Sequence, residues 1–135
     1  ERFEVDDFVD ELGARVGEAL LAVHRSYLAV IGLATKNTGV HAFAHITGGG
    51  IVGNTSREVP APLSVRVDWT AWEMPAIFRL IRKYGPVPDA EMRKTFNLGI
   101  GLVSVVARSA ADRLVRSLEA AGEHPIVIGE VFRKS

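Results

Sequence analysis

The sequence predicts an α/β sandwich of the α+β class, in which one mixed β-sheet is flanked by helices. Three observations lead to this prediction. Of the 135 residues, 47% are hydrophobic and 24% are charged, which is the composition of an ordinary globular protein. A chain of this length forms one domain more readily than two. Segments with a helical period alternate along the chain with short segments that have the pattern of strands.

Charge and cysteine content exclude several kinds of function. The 16 basic residues equal the 16 acidic ones, so no net charge draws the chain to nucleic acid or to an anionic membrane. No apolar segment approaches the roughly 20 residues that a membrane-spanning helix needs, and we recognise no signal peptide. The lack of cysteine rules out disulfides and thiolate metal sites, and it fits a cytoplasmic protein. We therefore expect neither a nucleic-acid partner nor a membrane partner.

The first 17 residues are predicted to form a connector. Residues 1–17 show no sustained period, and their glycines predict a turn after the connector. Because the chain begins with Glu rather than Met, we expect that a preceding part of the protein is missing and that residues 18–135 form one domain. From Glu18 to about Ala34 the apolar residues suit a mostly buried helix, which Asn37-Thr38-Gly39 ends.

A short strand and a glycine loop follow this helix. Residues 40–46 are predicted to be a strand, and a short helix to about Glu58 follows the loop. Gly48, Gly50 and Gly53 have the spacing of a dinucleotide-binding turn. Such a site needs a long helix after its glycines, whereas only nine residues separate Gly53 from the next strand and the last three are Pro-Ala-Pro. A nicotinamide site is therefore disfavoured.

The middle of the chain is predicted to contain one strand and two helices. Residues 63–68 alternate between apolar and polar side chains, which is typical of a strand. Residues 74–84 have the pattern of an amphipathic helix that ends at a Gly-Pro pair. Asp89 is predicted to cap another short helix that continues through Lys94.

The last third is predicted to contain two strands around one helix. Residues 98–107 are apolar on both faces, which is typical of a central strand. A helix from Ser109 to Ala121 is predicted to open with a capping box of Ser109 and Asp112, and residues 126–131 form the last strand. If these two strands are parallel, they form a right-handed crossover unit with the helix.

The glycine loop is a candidate anion site. Consecutive glycines let several backbone N–H groups converge on one anion, and the N-terminus of the next helix adds a partial positive charge. A tight turn whose glycines serve only packing is an equally good interpretation. The candidate substrate- or phosphate-binding residues are Thr47, Gly48, Gly49, Gly50 and Asn54.

Two stretches resemble signature sequences of one enzyme family. AHITGGG at 44–50 and MRKTFNLGIGLV at 92–103 are similar to stretches of aminoimidazole ribonucleotide synthetase, the phosphoribosylformylglycinamidine cyclo-ligase of purine biosynthesis. The triple glycine alone is typical of the wider superfamily that includes selenophosphate synthetase, and the second stretch narrows the resemblance to the cyclo-ligase. Shorter similarities occur in VGEALL at 16–21, DWTAWEMPAIF at 68–78 and VIGEV at 127–131. The resemblance covers nearly the whole chain, but only the C-terminal half of such an enzyme.

This resemblance implies a ligase that closes formylglycinamidine ribonucleotide into aminoimidazole ribonucleotide. Such enzymes use ATP and Mg²⁺, and they hold the nucleotide chiefly in an N-terminal domain that also forms the core of a homodimer. The active site is a cleft between the two domains, so the implied partners are the ribonucleotide substrate, the protein's own N-terminal domain and a second copy. The chain alone is then expected to be inactive. The alternatives are a sister ATP-using enzyme, such as the formylglycinamidine ribonucleotide-forming amidotransferase or a selenophosphate synthetase-like protein, and a non-catalytic anion-binding module.

The chain departs from the common family pattern at two places. The family usually has an aromatic residue and a glutamate before the asparagine of the loop, whereas this chain has Ile51, Val52 and Gly53. The family's Glu-Pro-Thr-Arg is replaced here by Ala22-Val23-His24-Arg25. We interpret the chain as a divergent branch of the family, and the roles of these positions stay open.

His45 is the candidate catalytic residue. It lies two residues before the glycine loop, and an imidazole can donate or accept a proton near neutral pH. His41 is predicted to share its strand face at a distance of about 13 Å, which is too far for one metal ion, and no third ligand is evident, so no metal site is predicted.

Several other residues are weaker candidates. Thr95 and Asn97 are secondary site candidates that are expected to shape the start of the central strand together with two glycines, for which packing is favoured over ligand contact. Two tryptophans are interpreted as core or interface residues rather than base-stacking ones, and two arginines as ordinary exposed residues that can meet a phosphate. These residues are Gly99, Gly101, Trp69, Trp72, Arg25 and Arg57.

Overall fold

The computed structural model describes residues 3–134, and it confirms the α+β class. Twelve short elements follow one another along the chain. They are β1 (Phe8–Val9), β2 (Ala14–Arg15), α1 (Val16–Leu20), α2 (Leu28–Ala34), β3 (Val40–His45), α3 (Gly50–Arg57), β4 (Leu63–Val67), α4 (Ala76–Tyr84), α5 (Asp89–Thr95), β5 (Leu102–Val106), α6 (Arg108–Glu119) and β6 (Gly129–Arg133).

The described strands form three antiparallel pairs, β1–β2, β3–β5 and β4–β6, rather than one mixed sheet. Because β5 and β6 belong to different pairs, the crossover unit around α6 does not form. The apolar pattern of a strand sets which face is buried but carries no information about which strand will pair with it, so this arrangement was not accessible from periodicity.

The β3–β5 pair is the centre of the fold, because helices cover one of its faces and α3 covers the other. On the first face Val40, Phe43 and Val106 pack against a cluster of buried residues from α2 and α6 (Ala34, Leu114 and Leu118). On the second face Ala44 and Ile46 pack with Ile51 of α3. Successive side chains of a strand point to opposite faces, so β3 contributes residues to both clusters, one on each face of the β3–β5 pair.

The predicted helix over residues 18–34 is broken in the middle. Residues 21–27 separate α1 from α2, and the apolar residues counted as buried there are exposed: Leu20 at 60%, Leu21 at 83% and Val23 at 96%. Three of the four residues of the segment Val23-His24-Arg25-Ser26, namely Val, His and Ser, have modest helix propensity, which favours a break at this point.

Two other local predictions differ from the structure for identifiable reasons. The strand predicted from residue 98 begins at Leu102, because Leu98 and Gly99 have φ values of +52° and +102°, which an extended strand does not allow. The residue that precedes α6 is Ala107 and it makes no side-chain capping bond, so the predicted capping box of Ser109 and Asp112 is wrong.

The β4–β6 pair carries an exposed ion pair across the strands. Arg66 and Glu130 are directly opposite each other in the register, and the Arg66 guanidinium donates hydrogen bonds to the Glu130 carboxylate. These hydrogen bonds hold the pKa of Glu130 below its ordinary value. Exposed pairs of this kind contribute little to stability, and this one helps to fix the register.

The N-terminal segment forms a small hairpin where a connector and a turn were predicted. Phe8 and Val9 pair with Arg15 and Ala14, and the turn between the strands includes Gly13 at a φ of +64°. Residues 1 and 2 of the predicted connector, like Ser135, lie outside the described residues. Within the described part of the chain, no helix has the length and apolar character needed to cross a membrane.

We predict that Gly129→Ala destabilises the protein, because a Cβ at this position would lie 2.0 Å from the Arg66 carbonyl oxygen on the paired strand. The backbone would have to separate, at a cost of about 1–3 kcal/mol. The matched control is Gly32→Ala in α2, where a Cβ meets no atom within 4 Å. Removing a helical glycine should raise stability there by about 0.5–1 kcal/mol. Urea unfolding of both variants provides the measurement, and equal midpoints would contradict the β4–β6 pairing.

Candidate functional site

The glycine loop makes a turn that only glycines accommodate. Gly49 precedes α3 with a φ of +112°, and Gly50 opens the helix with a φ of +65°. The Gly50 N–H donates to the Thr47 carbonyl at 3.2 Å, which closes the turn. A Cβ on Gly50 would lie 2.0 Å from the Arg93 carbonyl oxygen, so the start of α3 sits directly on the backbone of α5.

The other side of the loop is open. A Cβ on Gly48 would meet no atom within 4 Å. Among the residues that the structure describes, the N–H groups of Gly48 and Gly49 donate to no protein acceptor. Two neighbouring N–H groups that have no protein acceptor and lie at a helix N-terminus can both donate to one anion.

Arg57 places a positive charge beside this open face. It is the last residue of α3, and its guanidinium Nη2 would lie 3.7 Å from a Cβ on Gly49. The other guanidinium nitrogen, Nη1, donates to the Asn54 Oδ1 at 3.4 Å. Because a guanidinium and free amides together match the charge and geometry of a phosphate, the loop fits an anion better than a turn alone would.

Asn54 holds the loop from inside. Its side chain is buried, with 6% exposure, and its Nδ2 donates to the Gly50 carbonyl at 2.8 Å and to the Thr47 carbonyl at 3.3 Å. The Thr47 hydroxyl donates to the Asn54 Oδ1 at 3.4 Å. Since these atoms are engaged with one another, the groups of this site left for a ligand are the backbone N–H groups of Gly48 and Gly49 and the guanidinium of the exposed Arg57.

The structure brings the two resembling stretches together. The Ile46 N–H donates to the Gly101 carbonyl at 2.9 Å, and Gly50 lies against Arg93. Asn97 acts within its own turn, where its Oδ1 accepts the Gly99 N–H at 3.0 Å. Thr95 is exposed at the end of α5. Thr95 and Asn97 thus lie at and just after the end of α5, the helix whose backbone Gly50 contacts. A contact between these two secondary candidates and a ligand stays a prediction.

The two glycines at the start of β5 serve close packing, as predicted. A Cβ on Gly99 would lie 2.7 Å from the Pro75 ring, and a Cβ on Gly101 would lie 2.1 Å from the Tyr27 hydroxyl oxygen. The tryptophans also have the predicted packing role. Trp69 and Trp72 pack against the Ala44–Ile46–Ile51 cluster, and the Trp72 indole donates to the Leu98 carbonyl at 2.9 Å.

His45 is exposed at the end of β3, and its side chain lies on the face opposite to Ile46 and to α3, the helix that follows the glycine loop. Its ring contacts two aromatic rings that precede α2. The centroid of His45 is 5.3 Å from that of His24 and 6.4 Å from that of Tyr27. The predicted alternation from His41 is interrupted, because a β-bulge lies between Val40 and Ala42.

An open recess of about 370 Å³ lies beside His45. Aliphatic, aromatic and cationic side chains line it. Its lining residues are His24, Arg25, Tyr27, Leu28, Ile31, His45 and Leu102. Arg25 forms an ion pair with Glu123, which ties the rim to the end of α6. His24 is the member of this group that sequence reasoning missed, since no local pattern links it with a residue 21 positions later.

Comparison with known protein families shows which family this chain belongs to. The sequence pattern of the family described as "AIR synthase related protein, C-terminal domain" matches residues 2–135. The chain belongs to this family.

Individual members of the family agree with this assignment. A protein of Sorangium cellulosum named phosphoribosylformylglycinamidine cyclo-ligase is 46% identical over 129 residues, which is 94% of this chain and 37% of that protein. Proteins with the same name from Pseudothermotoga lettingae and Desulfotalea psychrophila are 38% and 36% identical over 96% and 98% of the chain. The chain therefore spans little more than a third of the length of the curated relatives it matches.

We predict that Gly48→Ala weakens anion binding without destabilising the fold. Its φ is not positive and its Cβ would point into open space, so the added methyl group is tolerated by the protein and obstructs only an anion at the loop. Losing one hydrogen bond to a charged group should weaken phosphate binding at least about tenfold. Gly53→Ala is the matched control, because its Cβ also meets nothing within 4 Å but lies in the middle of α3.

The measurement is a titration of each variant with inorganic phosphate, followed by the NMR shifts of the loop amides. A substitution at Gly49, such as Gly49→Val, would also obstruct an anion at the loop. It is a less specific test than Gly48→Ala, because a β-branched side chain at a φ of +112° would strain the backbone as well. Equal phosphate affinity in the Gly48 and Gly53 variants would show that the loop is only a packed turn.

Proposed function

We propose that the chain is the substrate-side domain of an ATP-dependent cyclo-ligase that converts formylglycinamidine ribonucleotide into aminoimidazole ribonucleotide. One observation carries the proposal. Among the described residues the N–H groups of Gly48 and Gly49 have no protein acceptor, and Arg57 lies beside Gly49, just after the strand that carries His45. The names of the relatives support a cyclo-ligase over the sister enzymes of the superfamily and over a non-catalytic anion-binding module.

The chemistry of ring closure assigns a task to each part of this site. ATP, when bound, supplies the phosphoryl group that turns the formyl amide oxygen into a leaving group. An amidine nitrogen then bonds to that carbon, the carbon–oxygen bond breaks to release phosphate, and the nitrogen loses a proton. The loop amides and Arg57 would offset the charge of a phosphate, and His45 would accept or return the proton.

The residues of this chain fit the phosphate part of that chemistry and leave the metal to other groups. The open amides at Gly48 and the adjacent guanidinium of Arg57 suit a phosphate. Within residues 3–134 no group of three or more His, Asp or Glu side chains is arranged to hold a metal ion. Our proposal gives Mg²⁺ and most nucleotide contacts to an N-terminal domain of the full-length protein.

Exposed apolar side chains support the proposed partners. Large hydrophobic residues are exposed in two stretches, from β1 to the first residue of α2 and from residue 126 through β6, and such surfaces commonly pack against another domain or subunit. They include Phe8, Leu20, Leu21, Leu28, Ile126, Val127, Val131 and Phe132. We propose that the protein's own N-terminal domain covers part of this surface, and that the full-length protein is a cytoplasmic homodimer.

We predict that the 135-residue chain alone neither hydrolyses ATP nor forms aminoimidazole ribonucleotide. Its glycine loop lacks the Lys-[Ser/Thr] that follows the glycines of a P-loop, so it lacks the side chains with which a P-loop holds the β- and γ-phosphates and their metal ion. The measurement is turnover by the purified chain against a heat-killed sample. Turnover above that control would contradict the division of labour between domains.

We also predict that the two strand histidines differ in their effect on the full-length enzyme. His45→Ala should lower kcat by roughly 10²–10⁴, the usual loss when a proton-transfer group is removed. His41→Ala, at the bulge, should change stability more than rate. Steady-state kinetics with unfolding curves measure both effects. A slower His41 variant, or two variants of normal rate, would make His45 a structural histidine.

A further inference from the structure

His45 forms a cluster with two aromatic rings, those of His24 and Tyr27, which lie 21 and 18 positions earlier in the sequence. The rings of His24 and His45 meet edge to face, with centroids 5.3 Å apart and planes at 82°. The Tyr27 ring completes the cluster, at 5.8 Å from His24 and 6.4 Å from His45. Each of the three rings therefore contacts the other two, and His45 is held from two sides.

The ring of His24 has a fixed orientation of its own. Its Nδ1 lies 2.9 Å from the Arg25 carbonyl oxygen. A carbonyl oxygen only accepts, so Nδ1 carries the proton and donates this bond. Arg25 is anchored in turn, by its ion pair with Glu123 and by the position of its guanidinium 5.8 Å from the centroid of the Tyr27 ring.

Tyr27 is fixed independently of His24. Its hydroxyl end lies where a Cβ on Gly101 would be, 2.1 Å away, so the ring is packed against the backbone at the start of β5. The next residue, Leu102, is the cross-strand partner of His45. Tyr27 and the strand pair thus define one wall beside His45, and His24 defines the other.

His45 has no hydrogen bond from its imidazole to any residue in the described part of the chain. An exposed side chain without such a bond moves among its rotamers, and ordering it costs conformational entropy. We propose that His24 is a positioning residue, whose ring holds the imidazole of His45 in the orientation used for proton transfer. This inference rests on the proposed function, because it presupposes that His45 acts in the reaction.

Two substitutions in the full-length enzyme separate the ring of His24 from its hydrogen bond. His24→Asn keeps an N–H donor for the Arg25 carbonyl but removes the ring, and it should lower kcat about three- to tenfold, the scale of one aromatic contact, with KM nearly unchanged. His24→Phe keeps the ring without the nitrogens and should retain at least about half of kcat. His124→Ala, at an exposed histidine after α6, is the control and should leave both constants unchanged.

A spectroscopic measurement tests the contact without reference to catalysis. In protein labelled with ¹³C on its histidine rings, the His45 signal is assigned by its loss in His45→Ala. Because neighbouring rings shift each other's resonances, this signal should move in His24→Asn and stay in place in His124→Ala. An unmoved signal in His24→Asn would overturn the inference by removing the contact.

The kinetic outcomes distinguish this inference from the proposed function. If His45→Ala is slow and His24→Asn runs at the normal rate, the positioning role is wrong and the function stands. If His24→Phe is slower than His24→Asn, the nitrogens of His24 matter rather than its ring, which also overturns the inference. If His45→Ala itself runs at the normal rate, the proposed role of His45 fails and the positioning role fails with it.

Discussion

The hydrogen bond from the Ile46 N–H to the Gly101 carbonyl, 2.9 Å long, extends the β3–β5 pairing beyond its last ladder pair, His45 and Leu102. It holds the end of one strand against the start of the other, at the place where the Tyr27 hydroxyl occupies the space of a Gly101 side chain. His45 can meet Tyr27 because both are fixed to this short length of backbone. The glycine loop departs from the same point, so the positions of the loop and the histidine are coupled through the sheet.

The three glycines with dinucleotide-like spacing serve three different purposes. Gly50 allows α3 to touch the Arg93 carbonyl, Gly48 faces open space, and Gly53 is an exposed residue inside α3. A dinucleotide turn needs its glycines to act together at one pyrophosphate, and here they do not. The spacing of the glycines in the sequence does not distinguish these three environments, whereas the space available for a Cβ at each position does.

Local order was predictable where one face of an element is buried. Helices α4 and α6 lie within two residues of their predicted bounds, because their apolar residues recur at the helical period. The break at residues 21–27 was missed because exposed apolar residues imitate a buried stripe. Strand partners, the anion-facing side of the loop and the contact between His24 and His45 depend on long-range packing, which no periodicity records. The loop residues were proposed from their glycine pattern, His45 from its place beside the loop, and Arg57 as an exposed arginine that can meet a phosphate; their roles stay predictions.

The pleat of β3 separates the candidate site into two parts. His45 faces the recess beside α2, whereas Ile46 faces the core under α3, from which the glycine loop continues. Only Ile46 and Thr47 lie between His45 and Gly48. The Cα atoms of His45 and Gly48 are three residue steps apart, so the distance between them is at most about 11 Å. A single ligand that contacts both the glycine loop and His45 must pass around the end of β3. Its anionic group would lie at the loop and its reacting group beside His45. Under the proposed function, a ribonucleotide with its phosphate on the loop would have this form, because the ribose separates the phosphate from the group that closes into a ring. In that proposal the substrate is anchored by its phosphate and transformed at the opposite end.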